Sequence, residues 1–365
     1  MTKPKARALV LEEPRKLVER EFPLPEVDSA TAVVRVEACG LCGTDHEQYT
    51  GALGAGFAFV PGHETVGIVE EIGDDASALW GVSAGDRVAV EVFQSCRKCP
   101  ACKRGDYRHC EAHGIGDMYG FIAVDKPPGL WGGYATHQFL GPDAVVHKVP
   151  ERLDPVLATL FNPLGAGIRW AVTVPGTKPG DLVAVLGPGI RGIAATVAAR
   201  KAGAQFVMVT GYGPGDAQRL EVARRFGADL TVDVATTDPQ RAMREATGEL
   251  ADVVVNVTAK APAAFGQAIQ IVKPGGTVVM AGTSGSADTP GLWPDLIVFK
   301  EVRVLGALGV DSPAYSTALE MLGEGSYPFA DIPRRIADLS TLEDLLLSMA
   351  GEAGSPPPLH GVLVP

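Results

Sequence analysis

Between residues 164 and 310, short apolar runs alternate with helical stretches, and this rhythm limits the possible folds more than any other feature. DLVAVLG (181–187), FVMVTG (206–211), TVDV (231–234), ADVVVNVT (251–258), TVVMAG (277–282) and VRVLGAL (302–308) read as strands. Strands that are apolar on both faces need cover on both faces, so the segment reads as a parallel α/β sheet wound with helices on each side. Residues 7–150 follow another grammar: RALVLEE, TAVVRVEAC, ETVGIVEEIG, DRVAVEVF and DAVVHKVP are short β runs broken by glycine- and aspartate-rich turns. Beyond Ser312 one helix (about 313–323), a proline-rich loop and a final HGVLV strand are expected. They are too few for a domain and are expected to pack back on the β-rich part.

The first strand of the alternating region runs through Gly187-Pro188-Gly189-Ile190-Arg191-Gly192 into a helix. Glycines at this spacing permit a tight turn, close approach to a pyrophosphate, and close packing of helix on strand. The helix start also presents free N–H groups and a positive dipole end to phosphates. Elsewhere the same pattern is often a plain glycine-rich turn; the strand before it and helix after it point to a dinucleotide. Arg191 either assists the phosphates or is a solvated charge. A ribose-binding acid is expected at the end of the second strand, but Val209-Thr210-Gly211-Tyr212-Gly213 contains no carboxylate. Its absence removes repulsion against a 2′-phosphate, and Arg219 lies within reach of one, which tilts NAD(P) slightly towards NADP. The alternative is that Asp216 serves the ribose of NAD.

Six cysteines lie at 39, 42, 96, 99, 102 and 110, in two tight clusters. MTKPKARALVLEEP has no apolar signal core and no stretch of ~20 apolar residues follows, so a cytoplasmic protein without membrane contact is expected. In that setting the cysteines read as metal ligands rather than disulfides. Cys96, Cys99, Cys102 and Cys110 form C-x2-C-x2-C-x7-C, which suits a closed tetrahedral structural zinc. Arg97, Lys98, Lys103, Arg104 and Arg108 are placed to offset its negative charge. An iron–sulfur cluster is the competing ligand. A nucleic-acid zinc ribbon needs two pairs ~15–20 residues apart, and a net charge of −11 opposes binding to any polyanion.

The other cluster reads Ala38-Cys39-Gly40-Leu41-Cys42-Gly43-Thr44-Asp45-His46-Glu47, followed by Pro61-Gly62-His63-Glu64. With the four-cysteine lobe, the glycine motif, V-x-x-G-D-R-V at 82–88 and Gly132-Gly133-Tyr134-Ala135, this order resembles the zinc-dependent medium-chain alcohol dehydrogenases, over nearly the whole chain. The resemblance is to the branch with alcohol, polyol and glucose dehydrogenases. It implies a GroES-like β-barrel catalytic domain (1–163 and 311–365) carrying the structural-zinc lobe (about 94–112), interrupted by a Rossmann doubly wound sheet (164–310).

The resemblance also implies that Cys42 and His63 hold a catalytic zinc, with Glu64 able to enter or leave the shell. A further ligand usually comes from a cysteine or from the glutamate of an E-P-L segment, but here the segment is Phe161-Asn162-Pro163-Leu164. A neutral amide oxygen is a poor zinc ligand. The expected shell is therefore Cys42, His63 and Glu64 plus water or substrate, with Asn162 binding the water from outside. By the same resemblance Thr44 accepts the alcohol proton, and Glu47, where relatives often have histidine, relays it or binds a substrate hydroxyl. Cys39 reads as a small buried residue, because no thioredoxin-like context surrounds Cys39-x-x-Cys42.

The function expected is hydride transfer between NAD(P) and an alcohol/carbonyl pair, a secondary alcohol or polyol, with one catalytic and one structural zinc per chain. A mainly reductive enzyme for aldehydes or ketones keeps the same motifs. A non-catalytic NAD(P)H- and zinc-binding regulator is the third reading, opposed by the full set Cys42, Thr44, His63 and Glu64, since a regulator needs no open metal position. Tyr49, Leu53, Phe57, Phe59 and Phe93 belong either to an apolar substrate pocket or to the core. The resemblance implies a homodimer or homotetramer paired through a sheet edge, here the strand at 302–308.

Overall fold

A computed structural model describes residues 4–54, 56–285, 288–354 and 356–365. The chain divides into two compact units, one of residues 1–162 with 311–365 and one of residues 163–310. The first unit opens with a hairpin of β1 (Lys5–Glu13) and β2 (Lys16–Pro23). β3 (Ala32–Leu41) is its hub, pairing antiparallel with β4 (Glu64–Ile72). β5 (Arg87–Val90), β6 (His137–Leu140) and β7 (Val146–Lys148) extend the sheet. Val34, Val69, Val88, Val90 and Leu140 pack into one core, and Ala8, Val10, Leu41, Tyr49 and Leu130 into another.

The second unit contains β8 (Leu182–Leu186), β9 (Phe206–Gly211), β10 (Leu230–Asp233), β11 (Ala251–Asn256), β12 (Val272–Met280) and β13 (Arg303–Gly306). They are all parallel, in the order β10-β9-β8-β11-β12-β13. This is the doubly wound arrangement, and its strand order reverses between β8 and β11, where such sheets bind ligands. Every side chain of β8 is buried, as double cover requires.

The chain then returns to the first unit through β14 (Arg334–Ala337) and β15 (His360–Leu363), the latter antiparallel to β3. This tail is richer than expected: besides the helix Ser312–Glu324 it holds β14 and the helix Leu342–Met349. β14 buries only Ala337, so it lacks the apolar alternation that marks a strand. β2 escapes sequence reading for the same reason, since none of its residues is fully buried. Among the described residues no helix is long and apolar enough to cross a membrane.

Candidate functional site

Cys42 caps the helix Gly43–Thr50. Its sulfur accepts the Thr44 N–H at 3.3 Å, and Asp45 three residues on reaches back to accept the Cys42 N–H at 2.8 Å. This reciprocal cap fixes the thiol at the positive end of the helix, where a thiolate is favoured. His63 arrives just before β4, after Gly62, whose φ of +91° and packing against Tyr134 leave no room for a side chain. The Nε2 of His63 lies 3.1 Å from the Cys42 sulfur, and its Nδ1 lies 3.5 Å from Asp45 Oδ1. All three side chains are buried, and each brings one ligand atom to within 4.8 Å of the others.

The donors suit zinc: a soft thiolate and an imidazole, with the Asp45 carboxylate beside them. His63 Nδ1 and Asp45 Oδ1 are buried and neither makes a hydrogen bond in the structure. A metal on Nε2 would give both atoms a purpose, because Nδ1 then carries the proton and presents it to the carboxylate.

The structure thus brings Asp45, rather than Glu64, together with Cys42 and His63. Glu64 is buried at the start of β4, its carboxylate against Gly40 of β3. Thr44 and Glu47 are half-buried on the Cys42 helix, and His46 is drawn to Glu352 at 2.7 Å. Asn162 is buried and donates through Nδ2 to the Tyr315 hydroxyl at 3.1 Å. Tyr49, Phe59 and Phe93 are core residues, whereas Leu53 and Phe57 are exposed. Cys39 is wholly buried, and burial pushes its thiol well up, which leaves it inert.

Cys96, Cys99, Cys102 and Cys110 converge, with the sulfurs of Cys96 and Cys102 3.8 Å apart. A tetrahedron with ~2.3 Å zinc–sulfur arms has edges of about 3.8 Å, so the cage fits zinc. Backbone N–H groups of Cys99 and Cys102 point at the sulfurs of Cys96 and Cys99, at 3.4 Å each. Hydrogen bonds from the backbone of Glu111 and Cys102 hold the Cys99 thiol down at about 6, while burial pushes Cys102 up to about 12. Val92, Phe93, Tyr107 and Met118 give the lobe its own small core. Two of the expected neutralising arginines are engaged elsewhere: Arg97 holds the Ser95, Pro142 and Ala144 carbonyls, and Arg108 pairs with Asp106.

In the second unit, Gly187 takes φ +108° after β8 and Gly189 caps the helix Ile190–Lys201. A Cβ on Gly192 would overlap the Gly187 carbonyl, so the third glycine is required by the close helix–strand approach. Ile190 and Arg191 form the first turn of that helix, with the Arg191 guanidinium 5.2 Å from the Trp170 ring centre. Gly211 ends β9 beneath Asp216, where a side chain would crowd Asp216 at 2.9 Å. Asp216 accepts the Tyr212 N–H at 2.9 Å and faces Arg219 at 3.4 Å.

A doubly wound nucleotide sheet, a cysteine–histidine–aspartate metal group and a separate four-cysteine cage together define a zinc-binding dehydrogenase. Residues 28–151 match the family described as "Alcohol dehydrogenase GroES-like domain", and residues 192–324 match "Zinc-binding dehydrogenase". A probable alcohol dehydrogenase of Mycobacterium tuberculosis is 66% identical over 360 residues, 98% of each chain. The protein belongs to the zinc-binding medium-chain alcohol dehydrogenases and is a zinc-dependent oxidoreductase of that class. More distant is an erythritol/L-threitol dehydrogenase of Mycolicibacterium smegmatis, 31% identical over 339 residues and covering 90% of each chain. A zinc-binding dehydrogenase of Sinorhizobium meliloti, solved bound to NADP, superposes with a TM-score of 0.81 at 26% identity over 100% of both chains.

Proposed function

We propose that the protein interconverts a secondary alcohol or polyol and its carbonyl with NAD(P), at a zinc held by Cys42 and His63 with Glu64 available from β4. The observation that carries this reading is the buried pair of Cys42 sulfur and His63 Nε2 at 3.1 Å, with Asp45 Oδ1 3.5 Å from the ring's Nδ1. Zinc bound there would lower the pKa of an alcohol hydroxyl and polarise a carbonyl. NAD(P) would supply or accept the hydride at its nicotinamide.

The chain's own residues handle the proton and the orientation. With zinc on Nε2, Asp45, 3.5 Å from His63 Nδ1, would accept the Nδ1 proton and so hold the ring in place. Thr44 accepts the hydroxyl proton of the alcohol. Glu47, one turn later on the same helix, relays that proton or binds a second hydroxyl. Asn162, its Nδ2 given to Tyr315, keeps Oδ1 to hold a water or hydroxyl beside the metal. Glu47 and the M. smegmatis tetritol enzyme support a polyol substrate.

Residues 1–163 with 311–365 are taken as the catalytic domain and 164–310 as the nucleotide domain; the observed division into two units supports this to within one residue. Gly187, Gly189, Ile190, Arg191, Gly192 and Gly211 would cradle the dinucleotide. The lean to NADP rests on the lack of a carboxylate in residues 209–213 and on Arg219, and the S. meliloti complex supports it. A homodimer or homotetramer would pair along β13, an edge strand with Val304 exposed.

The test is zinc content together with turnover. Wild type should carry two zincs per chain, and Cys42→Ser should keep one and lose activity. Initial rates with NAD and NADP across alcohols, diols and sugars then identify the substrate. A wild-type chain with one zinc and no turnover on any of them overturns the reading.

A further inference from the structure

We propose that Tyr315 is a positioning residue of the metal site: its hydroxyl fixes the amide of Asn162, and the buried chain His147–Glu91–Tyr107 behind it ties that amide to the four-cysteine lobe. The inference rests on the reading that Asn162 holds a water or hydroxyl beside the catalytic zinc.

An asparagine standing where a charged ligand is usual can help only if its oxygen faces the right way. An amide turned by half a rotation exchanges donor for acceptor at almost no steric cost. In the structure the Tyr315 hydroxyl accepts from Nδ2 at 3.1 Å, so this contact pins one edge of the amide and leaves Oδ1 on the other edge. Tyr315 is itself fully buried, its ring 5.2 Å from Phe161 and 5.7 Å from His147. His147 is held on both nitrogens, by Glu91 at 2.6 Å through Nε2 and by Ser316 at 3.1 Å through Nδ1.

Glu91 is wholly buried, and its second oxygen accepts the Tyr107 hydroxyl at 2.5 Å. Burial and the neighbouring Glu91 push the Tyr107 phenol well up, so it remains a donor. Tyr107 lies between Cys102 and Cys110 and belongs to the lobe's own core. Each link is a hydrogen bond or a ring contact among residues of the first unit. A fully satisfied buried network of this kind is stiff, and it gives the closed zinc cage a route to the open site.

The experiment compares Tyr315→Phe, Asn162→Ala and the double variant as holoenzymes. Tyr315→Phe should lower kcat about tenfold, leave KM for the dinucleotide unchanged, and speed chelator removal of the Cys42-site zinc by about tenfold. On an Asn162→Ala background it should add nothing further. Additive losses in the double variant, or wild-type kcat and zinc retention in Tyr315→Phe, overturn the proposal. If Tyr315→Phe does not fold, Ser316→Ala at an exposed position releases one side of His147. Several-fold faster zinc loss then supports the chain, and wild-type loss overturns it. Failure of the underlying reading is distinct: Asn162→Ala alone would then keep wild-type kcat and zinc retention.

Discussion

Asp45 Oδ1 stands 3.5 Å from His63 Nδ1, while the Cys42 sulfur lies 3.1 Å from Nε2 of the same ring. The same carboxylate caps the helix by accepting the Cys42 N–H at 2.8 Å, so one side chain places both the thiol and the imidazole. The two tasks separate by substitution. Asp45→Asn keeps an oxygen for the cap but loses the charge that orients His63, so zinc affinity at this site should fall 10–100-fold with little change in Tm. Asp45→Ala should lose the cap as well, at a further cost of about 1 kcal/mol. Chelator competition and thermal melts read the two effects. An Asn variant that retains zinc as tightly as wild type would show that the charge plays no part.

The cysteines of the lobe should differ sharply once zinc is removed. Cys99, lowered to about 6 by backbone N–H groups, is largely thiolate at neutral pH, whereas burial raises Cys102 to about 12 and keeps it protonated. Because the thiolate is the nucleophile, brief alkylation of the zinc-free protein at pH 7 should mark Cys99 before Cys102. The buried Cys39 should react last. Peptide mass spectrometry gives the order, and early labelling of Cys102 would refute it. Zinc uptake by the lobe should weaken as pH falls, since Cys102 must give up its proton to bind.

The parts legible in the sequence are those whose geometry is local. Cys96 to Cys110 lie within one loop, so spacing alone implies the cage, and Gly187 to Gly192 lie within one strand–helix turn. The Cys42 and His63 pair is legible only through family order, because they lie 21 residues apart with the helix Gly43–Thr50 between them. Asp45 stands in plain sight within the same motif. Its signal is an acid three residues past a helix cap, which reads first as capping and only secondly as chemistry. Tyr315 is 153 residues from Asn162, and no local pattern announces that contact. Among the elements, the late helix escapes the sequence reading although Leu342, Leu345 and Leu346 carry helical spacing, while the exposed ribbons β2 and β14 carry almost no periodic signal.

Two glycines of the nucleotide loop should fail in different ways. A Cβ on Gly189 meets nothing within 4 Å, and its φ of −70° suits any residue. Gly189→Ala should therefore fold normally yet bind dinucleotide poorly, because the added methyl occupies the pyrophosphate's approach. Gly192→Ala drives a methyl into the Gly187 carbonyl and should cost about 1–3 kcal/mol of stability before any ligand is added. Nucleotide titration by fluorescence alongside melting separates them. Undiminished NAD(P) binding by Gly189→Ala would place the cofactor elsewhere.

Acid should unfold the protein partly through His360, which is buried between Arg334 and Thr159. Arg334 Nε donates to Nδ1 at 2.9 Å, so the ring proton sits on Nε2, facing the Thr159 hydroxyl at 3.1 Å. Burial first, and the Arg334 charge second, lower this histidine to about 3. Between that value and its unfolded pKa of roughly 6.5, the unfolded chain binds a proton that the folded one refuses. The contribution is complete above the unfolded value and is lost as pH falls towards 3. Going from pH 7 to 4.5 should remove roughly 2 kcal/mol through this residue. His360→Gln, neutral throughout, should be less stable at pH 7 but lose less on acidification, as read from urea midpoints at the two pH values. Parallel losses in variant and wild type would move the acid sensitivity to another group.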